Sequence, residues 1–165
     1  VKKVTMTHYM ELLATNQPWN LIIFMAIPVI LAETVAITEL FILFKRDTGS
    51  GIRKLNKVAG IIGGFYFLGV FIYLFFNAVI PLTTKGGWRG IGDIIAVGFY
   101  LSGVVPLMGM ALLELGAIYK NKTPEQKMFL HAVFVAIFLA VAHIAMIFGM
   151  LNPELLMVGG GNMNM

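Results

Sequence analysis

The 165-residue chain is 59% hydrophobic and only 12% charged, with a net charge of +4 and no cysteine. A soluble domain carries about 25% charged residues, so most of this chain belongs in lipid. The absence of a basic stripe argues against nucleic-acid binding, and the lack of cysteine excludes disulfides, thiolate metal sites and cysteine nucleophiles.

Residues 1–17 are mixed. Met6, Met10, Leu12 and Leu13 form the apolar side of a short helix, with His8 and Glu11 beside it. That pattern fits an interfacial segment lying on the bilayer. Val1-Lys2-Lys3-Val4 lacks the pattern of a signal peptide, so insertion is expected to rely on the first apolar run.

A helix needs about 20 apolar residues to cross about 30 Å of hydrocarbon. Four runs are long enough, at about 19–44, 58–80, 91–119 and 128–151, within one membrane domain over 18–157. Trp19 fits an interfacial anchor and Pro28 a kink in the first run. The loop KRDTGSGIRKLNK over 45–57 is basic, with a turn at Gly49-Ser50-Gly51. The second run opens with Gly60-x-x-x-Gly64, which permits close helix approach, and is expected to end at Pro81. The third run starts near Asp93, is rich in small residues and contains Pro106. Thr123-Pro124-Glu125-Gln126 has the pattern of a helix start for the fourth run, which Pro153 stops. A flexible, Met-containing tail is expected over 158–165.

Two stretches repeat a pattern of acid, Leu, aliphatic, aromatic and Lys: ELFILFK over 39–45 and ELGAIYK over 114–120. Each ends a long apolar run and precedes a basic loop. The chain therefore reads as all-α, an integral membrane four-helix bundle built from two tandem transmembrane hairpins in a parallel internal repeat. Lys45, Arg46, Arg53, Lys54, Lys57, Lys120, Lys122 and Lys127 lie on one side, against Lys2, Lys3, Lys85 and Arg89 on the other. The positive-inside rule then places the first group in the cytoplasm and both termini outside. The expected location is a bacterial inner membrane.

Ionisable groups inside spans are costly and are functional candidates by default. Glu39 and Glu114 each precede a boundary Lys by six residues, about 9 Å. His131 follows Lys127 by four, about 6 Å, so the three share one level. Two carboxylates and an imidazole suit a divalent metal or a proton site. The alternative is that each Glu pairs with a nearby Lys45 or Lys120 and only anchors a helix end. The recurring Glu-x-x-His pattern of di-iron bundles is missing. Glu33 lies about 18 Å from Lys45, near the midplane, with Thr34 and Thr38 as polar company, and is a candidate proton or ion relay.

Leu139, His143, Met146 and Met150 fall on one stripe. Histidine with methionine can hold haem b or copper, with His8 folding over the same end, so His143, His8 and Met146 are the candidate cofactor ligands. Core packing explains the same stripe without a ligand. The Met-Asn-Met tail could capture Cu(I) or do nothing. No phosphate loop, Ser-His-Asp pattern or H-E-x-x-H motif is present.

Three functions remain. The first, favoured here, is a haem- or metal-binding subunit for membrane electron transfer, more an accessory of a redox complex than an enzyme by itself. The second is a proton- or cation-coupled permease using Glu39 and Glu114, with Pro28 and Pro106 as hinges. The third is a scaffold without ligand. The partners expected are the bilayer and either a second copy or a larger membrane complex.

Overall fold

The computed structural model describes residues 6–46 and 51–152. Lys2, Lys3, the turn residues Gly49 and Ser50, Pro153 and the tail over 158–165 lie outside the described residues. A short helix α1 (His8–Ala14) precedes four long apolar helices: α2 (Trp19–Lys45), α3 (Gly51–Thr84), α4 (Ile91–Glu114) and α5 (Pro124–Met150). All four are long and apolar enough to cross a membrane, and the chain is an all-helical, multi-pass membrane protein. Each long helix packs on its neighbour in the chain, α2 on α3, α3 on α4 and α4 on α5. The helices α2 and α5 barely touch, so the bundle has a seam. We call the end bearing Lys45, Lys120 and Lys127 the basic end.

The local chemistry explains the helix boundaries. Thr123 caps α5: its hydroxyl accepts from Gln126 N–H at 3.3 Å, while the Gln126 side chain accepts from Thr123 N–H at 3.3 Å. This is the capping box expected from TPEQ. The helix α4 stops at Glu114, not at Tyr119, because Gly116 takes φ +70°. Gly116 N–H donates to the Leu113 carbonyl at 3.1 Å and Ala117 N–H to Leu112 at 2.9 Å, which satisfies two carbonyls freed by the helix end. The two seven-residue motifs therefore differ in shape. ELFILFK stays helical through Lys45, whereas ELGAIYK leaves the helix after its first residue.

The helix α3 is longer at both ends than the apolar run. It begins at Gly51, so Arg53, Lys54 and Lys57 are helical and not in a loop. The buried face Asn56, Gly60, Gly63, Phe67, Val70 and Leu74 continues the apolar stripe at helical spacing. Nor does Pro81 end α3. A five-residue π-helical segment, Phe75–Val79, precedes it and absorbs the missing N–H.

The same device recurs at Pro28, after the π segment Ile22–Ala26. There Ile27 N–H bonds back to Ile22, and Pro28 has no N–H to give. The carbonyls of Ile23 and Phe24 are left over. Tyr66 on α3 donates to Ile23 at 2.8 Å, and Tyr100 on α4 donates to Phe24 at 2.6 Å. Hydrocarbon supplies no donor, so these phenols hold the kinked strand of helix in place. In α4 the break falls at Gly103, one turn before Pro106.

The centre of the bundle is apolar, with Val35, Ala59, Phe67, Leu107, Met110, Val135 and Phe138. Gly64 lets α3 and α4 meet: a Cβ there would lie 2.6 Å from Ala111 Cβ and 2.7 Å from the Leu107 carbonyl oxygen. A second cluster, Leu13, Phe24, Val70, Leu74 and Leu101, seats α1 on the end opposite the basic one.

Candidate functional site: a buried acid–imidazole centre and a lateral crevice

Near the basic end, all four long helices send a polar side chain inward. Glu39 comes from α2, Arg53 and Asn56 from α3, Glu114 from α4 and His131 from α5. His131 and Asn56 are fully buried, and Glu39 nearly so. Such groups persist in lipid only when they meet one another.

His131 Nδ1 lies 2.6 Å from Glu39 Oε2. Asn56 Nδ2 donates to the same carboxylate oxygen at 3.1 Å, to Thr38 Oγ1 at 2.9 Å and to the Val35 carbonyl at 3.1 Å. Arg53 Nη1 donates to Asn56 Oδ1 at 3.0 Å. Arg53 Nη2 lies 2.6 Å from Glu114 Oε1, an ion pair in contact but not along a hydrogen-bonding direction. The Glu114 oxygen is 3.6 Å from His131 Nε2, too far for a hydrogen bond. Among the described residues His131 Nε2 therefore has no hydrogen-bond partner. Gly60 faces the ring: a Cβ there would lie 3.6 Å from Nε2, an ordinary van der Waals contact.

The structure thus brings Glu39, Glu114 and His131 to one place, from three helices. It pairs Glu114 with Arg53, where pairing with Lys120 was the alternative. Arg53 and Asn56 join the site because α3 begins at Gly51, within the stretch whose composition reads as a basic loop. The signal was available: Asn56 sits four residues before Gly60, on the same helix face. Among the described residues no group of three or more His, Asp or Glu has the geometry to hold a metal ion. Chemically, the guanidinium already occupies one carboxylate, which suits a proton site better than a second cation.

The other candidates lie elsewhere. At the opposite end, His8 is held on the start of α4. Its N–H donates to Asp93 Oδ1 at 2.7 Å, and its Nδ1 lies 2.5 Å from Asp93 Oδ2. Arg89 donates to the Met6 carbonyl at 2.9 Å and pairs with Glu11. Thr7 donates to the Gly149 carbonyl at 2.6 Å and caps α1 by accepting from Met10 N–H at 3.3 Å. These contacts fix α1 as a lid over the bundle end. Tyr9 on α1 packs against Tyr100 with ring centroids 5.0 Å apart and planes tilted by 43°, and burial pushes its phenol up to about 12.

Between α2 and α5, beneath α1, the seam opens into a crevice of about 490 Å³. Glu33, His143, Met146 and Met150 all line it, and His8 does not. Glu33 and His143 are both exposed there. His143 Nδ1 lies 2.6 Å from the Leu139 carbonyl. Thr34 and Thr38 donate to carbonyls of their own helix at 2.7 and 2.6 Å and give Glu33 no bond.

Residues 4–165 match the model of a family described as a family of unknown function, DUF6803. No curated protein and no solved structure matches the chain.

Proposed function

The chain belongs to the DUF6803 family, and we propose that it is a small proton-coupled permease whose coupling centre is the Glu39–His131–Glu114–Arg53 cluster. The observation that carries this reading is the charge balance of a nearly dry site. Two carboxylates against one guanidinium leave one negative charge among the described residues. One proton, shared across the 2.6 Å contact between His131 Nδ1 and Glu39 Oε2, neutralises it. An uncompensated charge in hydrocarbon is costly, so the site alternates between a closed, protonated state and a hydrated, open one. His131 stands between the carboxylates of two helices, in contact with Glu39 at 2.6 Å and 3.6 Å from Glu114. A proton moving from the Nδ1 side to the Nε2 side would break the bond to α2 and create one to α4. The proline-linked breaks in α2 and α4 are hinges for that exchange.

Orientation enters the same proposal. The eight Lys and Arg residues at the basic end, against four elsewhere, support a cluster near the cytoplasmic face, with α1 and both chain termini outside, in a bacterial inner membrane. The two hairpins form a tandem repeat, and Glu39 and Glu114 are its equivalent acids.

The test is proton flux into proteoliposomes under an imposed potential. Wild type should acidify the lumen faster than protein-free vesicles, and Glu39→Gln and His131→Asn should each reduce the rate at least tenfold. Flux equal to that of empty vesicles would remove the reading.

A haem- or copper-binding redox subunit remains a second reading, on one observation. The Leu139 carbonyl can only accept, so His143 Nδ1 carries a proton, and in the neutral imidazole Nε2 is the nitrogen with the lone pair, on a crevice wall that Met146 also lines. Metal-ligating histidines are commonly fixed in this way. An absorption spectrum with Fe and Cu analysis of protein expressed with both metals supplied tests it: a colourless, metal-free sample counts against it.

A further inference from the structure

We propose that the crevice between α2 and α5 binds a lipophilic amine in its ammonium form, entering sideways from the bilayer. The cavity is about 490 Å³, within the range of small-molecule pockets. Its wall is almost wholly apolar, with Phe67, Phe99, Tyr100 and Phe138 among its lining rings. Aromatic faces attract cations as well as apolar bodies.

The polar groups on the wall decide the ligand's charge. Glu33 stands about 18 Å along the helix from Lys45, too deep to reach headgroup water easily. Among the described residues it has neither a hydrogen-bond nor an ion-pair partner. His143 Nδ1–H donates to the Leu139 carbonyl at 2.6 Å, so Nε2 is the other ring nitrogen, an acceptor when the imidazole is neutral. Tyr100 spends its hydroxyl proton on the Phe24 carbonyl at 2.6 Å. Glu33 brings a carboxylate, His143 an imidazole nitrogen and the methionines thioethers, all of them acceptors; the donors on the wall, Tyr9 O–H and Gln17 N–H, sit on α1 and the turn after it. An ammonium group supplies both the N–H donors and the charge that Glu33 lacks, and its hydrocarbon body fills the apolar remainder. An acyl chain would fill the space but leave the carboxylate uncompensated.

The amine is a substrate only if the transport reading holds, so binding is measured at equilibrium, without a gradient, in nanodiscs of neutral lipid. The probes are 1-naphthylmethylamine and its uncharged analogue 1-naphthylmethanol, followed by naphthyl fluorescence at pH 7. The amine should bind at least tenfold more tightly than the alcohol. Glu33→Gln, on an exposed position that does not support the core, should cut that preference below threefold. Met146→Trp, which narrows the crevice, should weaken both probes. Circular dichroism and elution volume of each variant report on folding. Equal affinity for amine and alcohol would identify a slot for acyl chains and overturn the proposal. So would an amine preference that survives Glu33→Gln in a folded protein. Loss of proton flux with intact amine binding would sink the transport reading and leave this site standing.

Discussion

His131 Nδ1 and Glu39 Oε2 meet at 2.6 Å although 92 positions separate the two residues in the chain. The contact joins α5 to α2 at the basic end, where the seam between these helices is otherwise thinly packed. Removing one member of a buried pair strands the other, at a cost of about 3–5 kcal/mol. His131→Ala should therefore lower the unfolding midpoint in detergent strongly. Glu39→Gln keeps the shape and one acceptor, and should cost about 1–2 kcal/mol, as for a lost charge-assisted hydrogen bond. Both should stop proton flux. A folded Glu39→Gln protein that still conducts protons would exclude the carboxylate from the coupling step.

Arg53 and Glu114 make a second test of the same cluster. Arg53→Met should destabilise by several kcal/mol, because it leaves a nearly buried carboxylate, 5% exposed, without the guanidinium at 2.6 Å. Adding Glu114→Gln should recover part of that loss. Two strictly additive penalties in chemical denaturation would mean that the pair does not couple.

Gly64 and Gly69 share a helix but not an environment. A Cβ at Gly64 would meet Ala111 Cβ at 2.6 Å and the Leu107 carbonyl at 2.7 Å, while nothing lies within 4 Å of one at Gly69. Gly64→Ala must push α3 and α4 apart and should cost about 1–3 kcal/mol. Gly69→Ala should be neutral or stabilise by about 0.5–1 kcal/mol, since it removes a flexible residue from a helix interior. Thermal unfolding of the two variants in one detergent decides the matter.

Tyr100→Phe deletes the donor to the Phe24 carbonyl and should cost about 1–3 kcal/mol. Pro28→Ala restores an N–H, so the carbonyl no longer depends on the phenol. The combined variant should lose less than the sum of the single losses. Additivity would show that the Tyr100 hydroxyl does not serve the break at Pro28.

The phenol of Tyr9, on α1, is pushed up to about 12 by burial. In the unfolded chain it would ionise near pH 10, so between those values the folded form holds the proton and the unfolded form does not. The stability of the seated α1 should be full below pH 10 and fall as pH rises toward 12. Hydrogen exchange of α1 should accelerate over that window in wild type and much less in Tyr9→Phe.

Much of the fold follows from composition alone. Runs of apolar residues too long for a soluble core must cross lipid as helices, because only an internally bonded backbone survives there. Thr123-Pro124-Glu125-Gln126 marked the start of α5 because capping is a local reaction between a side chain and the next turn. Depth along a helix is likewise a matter of counting, so the sequence alone puts Glu39, Glu114 and His131 at one level. What counting along the chain leaves open is azimuth and neighbours. The extension of α3 back to Gly51, and with it Arg53 and Asn56, appears only once partners on α2 and α4 satisfy polar groups that would otherwise stay in water. Equally, the sequence suggests that His8 folds over the end that holds His143, whereas packing puts His8 on Asp93 and His143 on the wall of the crevice that Glu33 lines. Period and composition act within one helix; which faces meet depends on how four helices share a common space, and that is decided by tertiary packing.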